Sequence, residues 1–421
     1  MKILIASPRF PYEKGKADSM TVFHLVQFLS NRGHEVLLAT FLEEGEVSET
    51  EIEKTKKYCS AIEIVALNSL DKFTSIGKGV AGKKPFQVLY YLNGKMRKAI
   101  DRLNTKYEPD IAYAHLIRMS EYLIDLKKIP KILAMQIAQT LNYKRLIQFE
   151  RNLTTRLFYR NEYLRVKNYE PYVMNLFDRV LLISPHDIKA IINDDKHPKE
   201  HVFFNPHGIN VKYYSENLQL ERAKNVLMMN GDFGVRTNID AIVYFTTKIY
   251  PLIKKEVTNV KLWIVGRNPA REVKELEKDE SILVTGRVDD IRPYLQQATV
   301  GIDPIRIAAG LQNKILVSLA SSLPVVSTRV GNEGIGTPEN EVILLADDEE
   351  EFAQKTVKLL KDNALRKKMG RNALAFMQKY WTWEYHFERF EEMIIKLVED
   401  YPAVKAVKNY YPLVEEKIKL K

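Results

Sequence analysis

The chain has 421 residues, 45% of them hydrophobic and 28% charged, with a formal net charge of +10 and a single cysteine, Cys59. That length and balance suffice for two or three ordinary buried cores and exclude a disordered or disulfide-stapled chain, since one cysteine closes no intramolecular disulfide and builds no cysteine-based zinc site. The positive balance favours anionic partners (nucleic acid, lipid headgroups or phosphorylated substrates) without choosing among them.

The first apolar run, Ile3-Leu4-Ile5-Ala6, is closed by Pro8-Arg9. It is too short for the apolar segment of a signal peptide and reads as a buried strand over Lys2–Ser7. Further short, β-branched runs follow at Glu35–Thr40, Ile62–Leu67, Asp110–Ala114, Ile132–Met135, Arg179–Ile183 and Val202–Phe204. A second series occupies Asn225–Met229, Val260–Val265, Ile282–Val284, Val300–Ile302, Pro324–Ser327 and Glu341–Leu345. These runs are apolar throughout rather than alternating, as strands covered by helices on both faces are. Helix-length amphipathic stretches separate them, so the pattern predicts an α/β protein with two doubly wound parallel sheets in tandem. Pro206, Gly208 and the polar stretch to Ala223 punctuate the junction. The expected division is residues 1–208, residues 209–380, and a helical tail over 381–421. The longest uncharged run, Ile315 to Thr328, is broken by Pro324 and is too short to span a bilayer, so a cytoplasmic protein is expected.

Candidate functional residues lie where strands end. Gly15, in the loop after the first strand, permits close approach of a ligand to the backbone, or simply makes a turn. His115 follows the strand Asp110–Ala114, where a polar residue at the carboxyl end of a parallel strand faces the ligand crevice. Gly231 and Gly234 follow Asn225–Met229, with Arg236 the one cation of that turn. Asn238 is the expected N-cap of the next helix and Asp240 falls in its first turn, ahead of a buried stripe of Ile242, Phe245, Ile249 and Leu252. Arg287 follows the strand Ile282–Val284, and Arg306 precedes the segment Gly310-Leu311-Gln312-Asn313-Lys314-Ile315-Leu316. There a glycine loop opens into an apolar helix and Pro324-Val325-Val326 follows as a strand. Free backbone amides and a helix N-terminus at a sheet's carboxyl edge bind phosphate, and Lys314 supplies a cation in the first turn. Later helices are expected over Glu350–Asp362, capped by Asp347 or Asp348, and over Leu365–Tyr380.

Two stretches are both basic and aromatic. Lys83–Tyr107 holds seven Lys or Arg against one acidic residue. Over Lys144–Tyr169, Arg145, Arg156, Arg160 and Lys167 share one helical side, adjoined by Leu146, Phe149, Leu153, Leu157 and Leu164. This suits a helix lying on an anionic membrane, or a core-facing helix with a solvated basic face. No Walker loop, His-Glu-x-x-His, nucleophile elbow, nucleic-acid module or GxGxxG after the first strand is present.

Taken together, these residues resemble the GT-B glycosyltransferases, most closely retaining family 4 (glycosyl transferases group 1). The first half contributes Lys2-Ile3-Leu4-Ile5, the Gly15 loop, Gly33-His34-Glu35-Val36 and Pro109 to His115. The second half contributes Asn238-Ile239-Asp240-Ala241, Val265-Gly266, Thr285-Gly286-Arg287-Val288-Asp289, the Gly310 segment and Gly331-Asn332-Glu333-Gly334. Tyr380-Trp381-Thr382-Trp383-Glu384 resembles the point where the last helices cross back to the N-terminal domain.

The resemblance implies two Rossmann-like domains facing an interdomain cleft, an acceptor on the first, and a nucleotide-sugar on the second. Transfer is expected with retention and without a metal or other cofactor. His115 is expected against the donor sugar and the Gly310–Gln312 amides on the diphosphate, with Gly15, Gly231, Arg236, Arg287, Arg306, Leu311 and Lys314 as further donor contacts. The family commonly carries two glutamates flanking this loop; here the positions are Ala309 and Val317. The expected function is sugar transfer to a saccharide, glycolipid or protein acceptor in cell-surface glycan assembly, possible partners including an anionic membrane surface but not nucleic acid. The alternative, suggested by Val317, is a catalytically silent subunit that binds acceptor or stabilises a partner transferase.

Overall fold

The computed structural model describes every residue except 14, 44, 68–81, 151, 193–200, 216–221, 308–309 and 403–421. The chain separates into two compact units, one of Met1–Ile183, Asp187–Pro206 and Phe387–Lys421, the other of Ser184–His186 and His207–His386.

The first unit is built on seven strands: β1 (Lys2–Ser7), β2 (Glu35–Leu42), β3 (Ala61–Ala66), β4 (Ile111–His115), β5 (Lys131–Gln136), β6 (Arg179–Leu182) and β7 (Val202–Phe204). They form one parallel sheet in the order β3-β2-β1-β4-β5-β6-β7. Leu4, Ala6, Leu37, Ala112, Leu133 and Val180 pack into one core cluster, while their alternates Ile3, Ile5, Leu38, Tyr113 and Leu181 are buried as well. Both faces are therefore covered, which is why the strands carry no polar alternation.

Helix Gly94–Tyr107 shows how the first basic stretch resolves. Asn93 caps it by accepting from the Lys95 and Met96 amides, Met96, Ala99, Ile100 and Leu103 bury one face, and Lys95, Lys98, Arg102 and Lys106 stay in solvent. This stretch is a core-facing helix with a solvated basic face. The helix Trp383–Glu399 adds its later turns to the same unit. There Phe387 packs on Phe28, Phe390 meets Tyr113 edge-on at 5.7 Å, and Glu391 pairs with His34 and Arg32. The rest of the expected helical tail, 403–421, lies outside the described residues.

The second unit contains β8 (Val226–Asn230), β9 (Lys261–Val265), β10 (Ile282–Gly286), β11 (Val300–Asp303), β12 (Val325–Ser327) and β13 (Ile343–Leu345). All pairs are parallel, in the order β10-β9-β8-β11-β12-β13. The helix after β8 differs from expectation. It starts at Arg236 behind Val235, with no side-chain cap, and Asn238 lies inside its first turn. A π-helical turn, Phe245–Ile249, interrupts its continuation and keeps Phe245 and Ile249 buried. Helix Glu349–Lys361 is capped by Asp348, which accepts from the Glu351 amide at 2.8 Å. No helix among the described residues is long and apolar enough to cross a membrane.

Candidate functional site

In each sheet the chain builds outward from its first strand and then returns to that strand's other side. The switch points lie between β1 and β4, and between β8 and β11. Crevices for ligands open there, beyond the strands' carboxyl ends, because the flanking connections depart in opposite directions.

At the second switch point β8 ends in Asn230 and β11 in Asp303. After β8 the chain turns at Gly231, whose amide bonds the Val265 carbonyl at 3.1 Å. A Cβ on Gly266 would fall 1.7 Å from the Gly231 carbonyl oxygen, so the two adjacent turns touch backbone to backbone and only glycine fits. After β11 the chain passes Arg306 to Gly310, which holds φ at +69°. The Gly310 carbonyl lies where a Cβ on Gly334 would come within 2.1 Å of it, so the loop is pressed flat against Gly334.

The loop then enters helix Asn313–Ala320. Its N-cap residue, Gln312, makes no side-chain bond to the helix amides, and its Oε1 instead accepts from Lys314 Nζ at 3.1 Å. Helix amides without an internal cap at a sheet's carboxyl edge are the donors an anion uses. Lys314 reaches two further acceptors, Asn238 Oδ1 at 2.9 Å and Asp303 Oδ1 at 3.2 Å. Both charged side chains are nearly inaccessible, at 9% and 2% exposure. Burial pushes the Asp303 carboxyl above its ordinary range, and Lys314 opposes that shift.

This corrects two expectations. Lys314 is not a free cation: its charge is matched by Asp303, and it ties the helix after β8 to the helix after β11. Asn238 is not an N-cap: its amide donates to the Asp232 carbonyl at 3.0 Å while its oxygen receives Lys314.

The remaining residues fall as follows. Arg306 makes two bonds to Asp240, at 2.7 and 3.1 Å, and lies over the Tyr244 ring, so its charge too is matched. Arg236 is exposed, 3.9 Å from Glu272, and is not joined to the Lys314 cluster. Arg287 is exposed behind Gly286 and is not joined to it either. Leu311 is half-buried against a neighbouring apolar cluster. Val317, three residues beyond Lys314, packs against Val226, Met228, Leu295 and Leu323 beside Trp263, Val288 and Tyr294. Ala309 lies outside the described residues.

At the first switch point β1 ends at Ser7, whose hydroxyl donates to the Arg9 carbonyl at 2.7 Å, and Arg9 pairs with Asp18. Gly15 packs so closely on the next helix that a Cβ would lie 2.7 Å from Ser19 Oγ. His115 closes β4, fully buried, with Nδ1 3.2 Å from the Tyr113 hydroxyl. Burial holds that hydroxyl protonated by pushing its pKa up. The neutral hydroxyl and Nδ1 share this one hydrogen bond, whose direction follows the imidazole tautomer. Phe390 backs the Tyr113 ring, so the helix Trp383–Glu399 supports the histidine through one intermediary. The next residue, Leu116, has φ +64° and ψ +153°, a region that essentially only glycine occupies. Gln136, at the end of neighbouring β5, has φ +71°. Two non-glycine residues in rare conformations at one sheet edge mark a place where the surrounding structure dictates the backbone.

Residues 224–362 match the family model for glycosyl transferases group 1. The chain is 26% identical over 407 residues to an uncharacterized 44.6 kDa protein of the cps region of Klebsiella pneumoniae, covering 90% of this chain and 96% of that protein. It is 23% identical over 253 residues to the capsular polysaccharide biosynthesis glycosyltransferase CapM of Staphylococcus aureus, covering 54% and 66%. The crystal structure of Anabaena HepE in complex with UDP and glucose superposes with a TM-score of 0.62 at 13% identity, covering 94% of this chain and 99% of that one. The chain is a glycosyltransferase of the GT-B fold.

Several residues of the glycosyltransferase escaped sequence reasoning. Asp303 ends its strand one residue later than predicted, so it read as loop; the signal was an acid directly before Pro304. His207 read only as part of the junction. Its Nε2 lies 2.7 Å from Asn313 Oδ1, on the first residue of the helix after Gly310, and its ring stacks on Trp383. Burial lowers the His207 pKa, opposed by the bond to Asn313. Tyr113 lay unremarked inside the strand run Asp110–Ala114, and Phe390 inside the helical tail.

Proposed function

We propose that this glycosyltransferase moves a sugar from a nucleoside-diphosphate donor to a saccharide or lipid-linked acceptor in the assembly of a capsule or related surface polysaccharide. The observation that carries the reading is the uncapped, glycine-entered helix at the switch point of the second sheet. The diphosphate is assigned to the Leu311 and Gln312 amides and the first turn of helix Asn313–Ala320. There the helix dipole and fixed N–H groups stabilise the charge that develops as the leaving group departs. Because Asp303 and Asp240 already match Lys314 and Arg306, those two cations act as organisers, and the oriented amides carry the stabilisation. HepE binds UDP at comparable fold, which supports a nucleoside diphosphate here. CapM and the Klebsiella cps-region protein support the capsule context.

His115, at the carboxyl end of its strand, is assigned to the donor sugar as a hydrogen-bonding group. Transfer on the same face, with retention, is the course that the resemblance to the retaining enzymes implies, and it is the one assigned here. No metal is assigned a role. A cytoplasmic site of action fits the half-buried free Cys59.

Val317 favours a second reading. A valine packed among apolar side chains offers nothing to ribose hydroxyls, so the fold can have been kept as a silent subunit. Release of nucleoside diphosphate from a panel of nucleotide-sugars, with and without a polysaccharide-repeat acceptor, separates the two. Turnover with one donor supports the transferase. No turnover with any, from folded protein, supports the silent subunit.

A further inference from the structure

The helix Leu153–Met174 presents the wrong face to water for a helix packed on a core. Its buried residues are Glu162, Val166, Tyr169, Glu170, Val173 and Met174. On the opposite side, Leu153, Leu157 and Leu164 are 72%, 64% and 61% exposed. At 3.6 residues per turn these leucines fall within about 40° of one another and span about 16 Å. Single exposed leucines are ordinary, but a stripe of them opposite the core face is not.

Beside the stripe stand Arg156, Arg160 and Lys167, all exposed. The two acids of the helix do not balance them. Glu162 accepts from the Phe86 amide at 3.1 Å, and Glu170 from the Gln139 and Thr140 amides at 2.6 and 3.2 Å, both within the core. The acid that precedes the helix in sequence, Glu150, is half-buried, with Oε1 on the Asn152 amide. The solvent face therefore carries leucines and cations and no carboxylate.

From this charge and shape we infer that the Leu153–Met174 helix docks in plane on an anionic phospholipid bilayer, its leucines in the interface and its cations on lipid phosphates. An amphipathic helix with a leucine stripe and a flanking basic row binds by those two terms together. A second copy of the chain is a poorer occupant, because a two-fold interface would set like cations against each other. The proposal stands apart from the glycosyl-transfer reading and does not need it.

The test is co-sedimentation of the full chain with vesicles of pure phosphatidylcholine and with vesicles one third phosphatidylglycerol. It is run for wild type, for Leu153→Ser/Leu157→Ser/Leu164→Ser, and for Arg156→Gln/Arg160→Gln/Lys167→Gln. Wild type should bind the anionic vesicles alone. The cation variant should bind about a hundredfold more weakly, and the leucine variant should not sediment. Both variants alter exposed side chains and should unfold at the wild-type temperature within a few degrees. Light scattering on the same samples should show one mass for all three. The proposal is overturned by wild type that ignores anionic vesicles, by a leucine variant that binds as wild type does, or by a wild-type dimer that the leucine variant dissolves.

Discussion

Replacing Lys314 with methionine removes an ammonium while keeping the shape of its stem. The structure assigns that ammonium to three acceptors, and the charged one, Asp303, is 2% exposed. Stripping one partner from a buried ion pair costs about 3–5 kcal/mol, because the other charge stays behind without its counterion. In a unit of this size that lowers the melting temperature by about 6–20 °C. The pH dependence makes the cause identifiable. Burial already raises the Asp303 carboxyl above its unfolded value, and losing Lys314 raises it further. A raised carboxyl binds protons in the native state that the unfolded state has released. Its favourable contribution is therefore complete below the unfolded pKa and lost as pH rises through the folded one. The Lys314→Met deficit should thus be largest near neutral pH and shrink as pH falls into the raised range. Asp303→Asn/Lys314→Met should be less destabilised than Lys314→Met alone, with a coupling of about 1–3 kcal/mol. All three tryptophans, Trp263, Trp381 and Trp383, lie in the second unit, so urea unfolding followed by tryptophan fluorescence reports on that unit. A deficit that is equal at every pH, together with additive losses in the double variant, would refute the buried-pair reasoning.

Gly334→Ala should push the Gly310 carbonyl aside and weaken nucleoside-diphosphate binding at least about tenfold by titration calorimetry. Its control, Gly336→Ala, at φ +66° in open space, should cost about 1–2 kcal/mol of stability and leave that affinity alone; equal affinities in the two variants would sink the loop assignment. Leu116→Gly should change stability little, since release of about 1–3 kcal/mol of backbone strain offsets glycine's chain entropy and the lost side chain. Leu116→Val should be clearly destabilised in the same denaturant titration, and equal effects would count against the strain. For His207, whose folded pKa is depressed, the unfolded chain binds more protons as pH falls below about 6.5. Stability should decline over that interval, and His207→Asn should flatten the decline in melting temperature; an unchanged slope would remove His207 from the explanation.

The fold was legible because its signals are local. Thirteen apolar, β-branched runs separated by helix-length stretches leave little room for anything but parallel sheets, and all thirteen became strands, with ends moved by a residue or two. Asp303 shows why the ends matter: a polar residue closing an apolar strand looks like the start of a loop until the ladder is seen. Glycine chemistry was also legible, since the Gly310 loop needs the left-handed backbone that the structure shows. The partnering of charges was not. Nothing within a few residues of Lys314 announces Asn238 or Asp303, and nothing near Arg306 announces Asp240, because those contacts arise only when the helices after β8 and β11 are brought side by side. The same applies to exposure. The helical wheel over Lys144–Tyr169 was read as one helix with leucines and cations adjoining, whereas the stretch divides between helices Gln139–Phe149 and Leu153–Met174. Only packing decided which face met the core, and the buried Glu162 and Glu170 made that decision by accepting from the Phe86, Gln139 and Thr140 amides.

The most direct measurement is thermal unfolding of the full chain, followed by tryptophan fluorescence, against UDP, GDP, ADP, CMP and dTDP, with Gly334→Ala alongside. A ligand held by the native unit alone stabilises it by mass action, by about 2.7 kcal/mol at a hundred times Kd, and so raises its melting temperature. A diphosphate bound by the Gly310 loop predicts a concentration-dependent rise with at least one nucleoside diphosphate, reduced in Gly334→Ala. No rise with any of them, from a protein that unfolds cooperatively, would contradict the donor site and leave the glycine loop without its ligand.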